Sequence, residues 1–221
     1  MGKNDDLSKR EMLDSAYFNN KLYGEEKELR HILKAMSIVD RKYFVLEQDK
    51  DQPYEDVPYL IGFDQTISQP TTVARMLLLA GVRKGMNVLE VGGGSGWNAA
   101  LLAYLAYPGK VMSVERISKL SKFAQDNLKN FKMQTKISRL NLEFIEGSIF
   151  SYKSLVKKKF DVIIVTAASD ENLKKRMKLF NFDKLIIPTS EGALEVWKKK
   201  GEKAVLEMKE GGYAFVPLIE R

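Results

Sequence analysis

Short apolar runs rich in β-branched residues recur from about residue 88 onward, separated in most cases by stretches whose apolar positions repeat at helical spacing. Val88–Val91, Val111–Glu115, Leu142–Glu146, Asp161–Val165 and Leu185–Pro188 read as strands, followed by Ala193–Lys198 and Val205–Lys209. Trp97–Ala106, Ser118–Lys129 and Glu171–Phe180 read as helices. This alternation predicts an α/β fold with a doubly wound, mainly parallel sheet, whose ligands sit beyond the carboxyl ends of the strands. Gly94, Glu115, Ser148 and Thr166 fall at those ends and are expected to share one crevice.

The N-terminal pattern is different. Residues 1–10 are polar and read as loose. From Lys9 to Met36 the pattern is helical, with Met12, Ala16 and Leu22 or Tyr23 on one face and Leu29, Ile32, Leu33 and Met36 on a clearer one. His31, on the second segment, reads as structural or solvated. Tyr43 and Phe44 are expected to anchor these helices as a cap on the main domain. Residues 49–60 carry two prolines and read as an extended or looping connection. Ser68 and Pro70 fit the N-cap and first turn of a helix over Thr71–Ala80. The hydroxyls before that helix serve equally well as substrate contacts. Residues 1–60 thus read as cap and connection and 61–221 as the main domain, in one structural unit.

Composition narrows the class. The 221 residues are 44% hydrophobic and 29% charged, as expected of one globular domain, and no apolar run reaches the length of a membrane span. The first residues lack the apolar stretch of a signal peptide, so a cytoplasmic protein is expected. Absence of cysteine excludes disulfides and thiolate metal sites, and a single histidine argues against a histidine-based metal centre. The net charge of +7 is spread over separate clusters at Lys157–Lys159, Lys174–Arg176 and Lys198–Lys200. Solvated lysine faces are favoured over a nucleic-acid surface, and no basic segment interleaved with aromatics suggests base stacking.

The chemistry centres on Asn87–Ala106, a strand, a glycine turn and a helix. Glycines let the backbone approach a ligand closely, and the first N–H groups of the helix are free for it. A dinucleotide site would read G-x-G-x-x-G. Glu90–Gly96 instead reads E-V-G-x-G-x-G, which resembles S-adenosyl-L-methionine-dependent methyltransferases. Glu115, ending the next strand, is placed to accept both ribose hydroxyls.

Further motifs are linked to this one. Tyr54-Glu55-Asp56, Ile61-Gly62-Phe63, Gln65-Thr66-Ile67-Ser68 with Pro70, Gly94-Ser95-Gly96-Trp97-Asn98-Ala99-Ala100, Val114-Glu115-Arg116, Phe160–Ala168, Lys184–Pro188 and Tyr213–Ile219 together resemble the protein-L-isoaspartate O-methyltransferases, most closely the archaeal ones. The resemblance runs from about Arg41 to the C-terminus. It implies a Rossmann-like methyltransferase sheet and methyl transfer from S-adenosyl-L-methionine to the free carboxylate of isoaspartyl residues in damaged proteins. The resulting ester collapses to a succinimide, which allows repair. It further implies that Thr66, Ile67 and Ser68 line the acceptor pocket, with Ser68 and the backbone near Val216, Pro217 and Leu218 holding the substrate. Gly92, Gly93, Gly94 and Gly96 would lie under the cofactor, joined by Glu115, Arg116, Ile117, Ser148 and Thr166, with Ile117 packing on adenine. No metal or membrane enters this scheme.

Three positions depart from the family pattern. Asp64 replaces a usual glycine, and turned inward it would repel an anionic acceptor. Gln69-Pro70-Thr71 replaces Ala-Pro-His, and Ser148 stands where the family has an aspartate that meets the adenine amino group. A relative that methylates another acceptor, including RNA, and a cofactor-binding protein without turnover are the rival classes. The chain has Val165-Thr166-Ala167-Ala168 in place of the N-P-P-Y or D-P-P-Y of amino-group methyltransferases, which argues against base N-methylation.

Overall fold

The computed structural model describes residues 3–218. Residues 1, 2 and 219–221 lie outside it, among them Ile219, the last residue of the expected C-terminal motif. Two helices open the chain, α1 (Lys3–Asn20) and α2 (Glu26–Ile38). The polar stretch from residue 3 to 10 is therefore helical and not loose. Asp5 and Asp6 sit favourably in its first turn, and Met12 and Ala16 are buried along its length. Leu22 and Tyr23, expected on the first helical face, are exposed in the turn that follows. On α2, Leu29, Ile32, Ala35 and Met36 form the buried face and His31 is exposed.

A two-stranded hairpin follows, β1 (Tyr59–Gly62) and β2 (Gln65–Ile67), antiparallel with Tyr59 opposite Ile67. Residues 49–60 read as a connection and no strand is expected over 61–67, so the hairpin is an element that the sequence pattern does not announce. Helix α3 (Pro70–Ala80) begins with Pro70 at its first turn and ends on Gly81 in the left-handed conformation. Its N-cap is Gln69, not Ser68, and no side chain of the capping residue closes that end. The carboxylate of Asp56 does so from outside, accepting from the backbone N–H of Thr71 at 2.8 Å.

The main sheet has seven strands. In chain order the elements are β3 (Val88–Val91), α4 (Trp97–Ala106), β4 (Val111–Glu115), α5 (Ser118–Thr135), β5 (Leu142–Glu146), α6 (Lys153–Lys157), β6 (Phe160–Val165), α7 (Glu171–Met177), β7 (Phe182–Pro188), β8 (Ala193–Lys200) and β9 (Lys203–Gly211). Their spatial order is β5-β4-β3-β6-β7-β8-β9, parallel through β7, with β8 antiparallel to both of its neighbours. Chain connections thus reverse direction at β3, which lies between β4 and β6, and such a switch point opens a crevice at the carboxyl ends. Val91 is level with Val114 on one side and Val165 on the other, so Gly92, Glu115 and Thr166 emerge together at the top of the sheet.

Period-two alternation divides the apolar residues between two layers. Val88, Val111, Val162 and Ile164 face the layer that contains the N-terminal helices, α3 and α4. Leu89, Val91, Met112, Val114, Ile163 and Val165 face the other, with Phe160, Phe180 and Phe182. Tyr43 and Phe44 pack on Phe131 of α5, with ring centroids 5.7 and 5.8 Å apart, so this aromatic pair does tie the N-terminal region to the main layer. Each fully buried large apolar side chain contributes roughly 1.5–3 kcal/mol by leaving water. Lys174 departs from the expected solvated lysine faces. It is buried against Glu195 at 3.3 Å and also pairs with Glu171.

Candidate active site

The cleft at the top of the sheet is built from the turn after β3. Gly92 and Gly93 both donate to the Val114 carbonyl, at 2.9 and 3.3 Å, which folds the turn over the end of β4. Gly92 has φ of 99°, and a Cβ there would collide with the Thr166 hydroxyl. Gly96 answers to a different constraint. Its φ is 84°, and a Cβ would approach Ala124 of α5 at 3.0 Å, so this glycine permits close helix packing, and it is not among the residues that line these compartments.

Glu115 is buried, with both carboxylate oxygens directed by backbone: Oε2 accepts from Gly94 N–H and Oε1 from Ile117 N–H, each at 2.8 Å. A carboxylate has about four acceptor sites, so half remain for a ligand. Around it, Arg116, Ile117, Ser148 and Phe150 line the first compartment of the cleft. Gly92, Gly93 and Gly94 line a second compartment together with Ile67, Asn98 and Met76. A third lies between the hairpin and the 214–216 segment and is walled by Thr66, Ser68, Thr72, Thr166, Phe215 and Val216. Thr66, Ser68 and Thr166 border both the second and the third compartments. Among the described residues no carboxylate lines the third compartment.

The expected residues therefore divide among connected spaces. Thr66 and Ser68 lie where the second and third compartments meet, and Ile67 borders the glycine-turn side and is buried. Val216 faces the third compartment, whereas Pro217 and Leu218 border the first. Val216 and Leu218 are held against the turn after β6, since Ala168 donates to the Val216 carbonyl and accepts from Leu218 N–H, both at 2.8 Å. The Ser68 backbone is held from below: its carbonyl accepts from the buried guanidinium of Arg41 at 3.4 Å.

The departures now have locations. Asp64 is exposed at the hairpin tip, with φ of 56°, and does not border the cleft. The family's usual glycine at this position matches a turn that needs positive φ, which aspartate tolerates better than most residues. The hydroxyl of Thr71, which stands where the family pattern has histidine, donates to Asp56. Ser148 does line the first compartment, where its oxygen accepts a long bond from Phe150 N–H at 3.4 Å and keeps its own proton to donate.

Sequence reasoning missed a polar cluster under the glycine turn. Glu90 is fully buried. Its Oε1 accepts from the Asn98 amide at 2.8 Å and its Oε2 accepts from the Ser113 hydroxyl. Burial pushes the Glu90 carboxyl up to about 7, against the two donors that favour its anion and with a smaller push from Glu115. The signal available in the sequence was the acid in an otherwise apolar strand. Asn98 Oδ1, by contrast, is buried with no hydrogen-bond partner among the described residues. A prearranged carboxylate at Glu115 with unused lone pairs, a glycine turn whose backbone lines the cleft and, among the described residues, an unpaired acceptor at Asn98 fit a polar, nucleoside-bearing ligand such as S-adenosyl-L-methionine.

Comparison with known proteins agrees with this geometry. The sequence model of the protein-L-isoaspartate(D-aspartate) O-methyltransferases matches residues 17–221. The chain is 39% identical to the protein-L-isoaspartate O-methyltransferase of Pyrococcus horikoshii, over 90% of this chain and 94% of that one. It is 35% identical to that of Thermosipho melanesiensis, over 92% and 100% respectively. A solved structure from Plasmodium falciparum, assigned to the same enzymes and in complex with S-adenosyl-L-homocysteine, superposes with a TM-score of 0.77. It is 26% identical over 96% of this chain and 98% of that one. A match across nearly the whole length, on a fold whose glycine turn, buried Glu115 carboxylate and adjoining compartments stand in one cleft, places the chain in the protein-L-isoaspartate(D-aspartate) O-methyltransferase family.

Proposed function

We propose that this protein transfers the methyl group of S-adenosyl-L-methionine to the free carboxylate of L-isoaspartyl residues in damaged proteins, initiating their repair. The observation that carries this reading is the shared wall of Thr66, Ser68 and Thr166 between the glycine-turn compartment and a neighbouring compartment that no carboxylate lines among the described residues. When bound, the cofactor supplies an electrophilic methyl group on a sulfonium.

The protein's own task is binding and orientation. Glu115 would hold the ribose hydroxyls with its unused lone pairs, and Ile117 and Ser148, which line the same compartment, would hold the adenine. The isoaspartyl carboxylate, with a pKa near ~4, is already ionised at neutral pH, so no general base is required. Thr66 and Ser68 offer hydroxyl donors to it, and holding it in line with the methyl group is the main source of rate. Arg41 fixes the Ser68 backbone in that position.

The scheme requires neither a metal nor a nucleic acid. Among the described residues no helix is long and apolar enough to cross a membrane. A cytoplasmic site of action belongs to the same proposal and rests on the sequence reading alone.

The decisive experiment is transfer of labelled methyl from S-adenosyl-L-methionine to an isoaspartyl peptide beside its normal aspartyl twin. Base-labile label on the isoaspartyl peptide alone is expected. Equal labelling of both peptides, or cofactor binding with no transfer to either, would overturn the assigned acceptor.

A further inference from the structure

Asn98 occupies the second position of α4, directly after the glycine turn, and its side chain folds back toward the end of β3. Its Nδ2 donates to Glu90 Oε1 at 2.8 Å. An ionised carboxylate accepts and cannot donate, so this bond fixes the amide with its NH2 toward Glu90 and its carbonyl oxygen away from it. The other carboxylate oxygen is taken by the Ser113 hydroxyl, which completes the lock from β4. Asn98 borders the glycine-turn compartment, yet its Oδ1 is shielded from water and has no partner among the described residues. A buried carbonyl left unpaired costs about 1–3 kcal/mol, and the fold spends a fully buried glutamate on holding it so.

Resting on the methyl-donor site proposed above, we infer that Asn98 is a specificity-determining residue for the donor, its carbonyl oxygen accepting a hydrogen bond from the α-ammonium group of the donor's amino-acid part. The ammonium has three N–H donors and no acceptor, which matches an oxygen that lacks a donor. Glu90, one hydrogen bond behind the amide, adds an anion whose field favours a cation at this point and disfavours a neutral replacement. The glutamate is thus a positioning residue: it touches Asn98 and not the ligand.

Calorimetric titration of the full chain at pH 8 tests this with two probes, S-adenosyl-L-homocysteine and its deamino analogue, which keeps the carboxylate and lacks the ammonium. The wild type is expected to bind the first at least ten-fold more tightly. In Asn98→Leu the two dissociation constants should converge to within about two-fold, with the deamino analogue bound as by the wild type. Asn98→Ala, which only deletes atoms, gives the same readout if the leucine variant fails to fold. Preference retained in a folded variant, equal loss of both ligands, or no preference in the wild type would each overturn the inference. Glu115→Ala separates it from the underlying site: this change should weaken both probes alike through the ribose and leave their ratio intact. Failure of the wild type to bind either probe would overturn the donor site and this role together.

Discussion

The Arg41 guanidinium donates to the carbonyl of Ser68 at 3.4 Å, so a cation with no exposed surface supports the backbone of a candidate acceptor residue. The same group donates to the carbonyls of Pro53 at 2.7 Å, Val57 at 2.9 Å and Glu55 at 3.2 Å. It also faces the rings of Tyr59 and Trp97 at 4.9 and 5.6 Å. Loss of water lowers its pKa to about 10, which leaves it charged at neutral pH. Segment 53–57, the hairpin and the start of α4 therefore meet on one planar donor.

Arg41→Met should destabilise the fold by roughly 3 kcal/mol or more, because several buried carbonyls lose their donor at once. Arg41→Lys keeps the charge but not the fork. It should recover part of the stability while still raising KM for an isoaspartyl peptide. Urea unfolding and steady-state kinetics check both. A loss below about 1 kcal/mol for the methionine variant would sink the structural role assigned to Arg41.

At the hairpin tip, Phe63 and Asp64 both have φ of 56°, the conformation of a two-residue turn that favours Asn-Gly. Phe63 is 48% exposed, so the strain is not offset by burial of its ring. Replacing the pair by Asn-Gly should raise unfolding free energy by about 1 kcal/mol. Since Asp64 lies outside the cleft lining, Asp64→Gly alone should leave KM for an isoaspartyl peptide within about two-fold of wild type. A clear fall in KM would mean that the carboxylate does reach the acceptor.

Glu90 makes stability depend on pH. Its carboxyl is raised from 4.5 to about 7, so between these values the folded protein holds a proton that the unfolded chain has released. Its contribution is fully present below about pH 4.5, falls as pH rises through about 7, and is lost above it. Glu90→Gln should therefore match the wild type near pH 4.5 and exceed it at pH 8, by up to roughly 3 kcal/mol. Urea midpoints at the two pH values measure this, and an equal difference at both would refute it. Affinity for S-adenosyl-L-homocysteine should weaken in the wild type as pH drops below about 7 and the anion behind Asn98 is neutralised, and should stay flatter in Glu90→Gln.

Much of the sheet is legible locally. Trp97–Ala106 and Val111–Glu115 were bounded as the structure has them, because strand and helix periods change abruptly at the glycines and at Pro108. The hairpin was not. Its strands are three or four residues long, and its turn carries Phe-Asp where a glycine would have announced positive φ. The helix over residues 3–10 was missed for a related reason: its polar residues give no apolar period, and packing of the following turns carries the segment into the helix.

The sequence by itself determined the parallel α/β alternation, the glycine turn, the acid at residue 115 and the resemblance that marks the family, since each depends on residues adjacent along the chain. Only the tertiary structure decided that Gly96 serves helix packing, that Asp64 lies outside the cleft, that Asp56 closes α3, and that Arg41 and Glu90 are buried beneath the residues they hold. The physical reason is that these roles rest on desolvation and on partners brought together from distant segments. A charged side chain reads as solvated in the sequence, and its partner becomes evident only when folding removes the water between them.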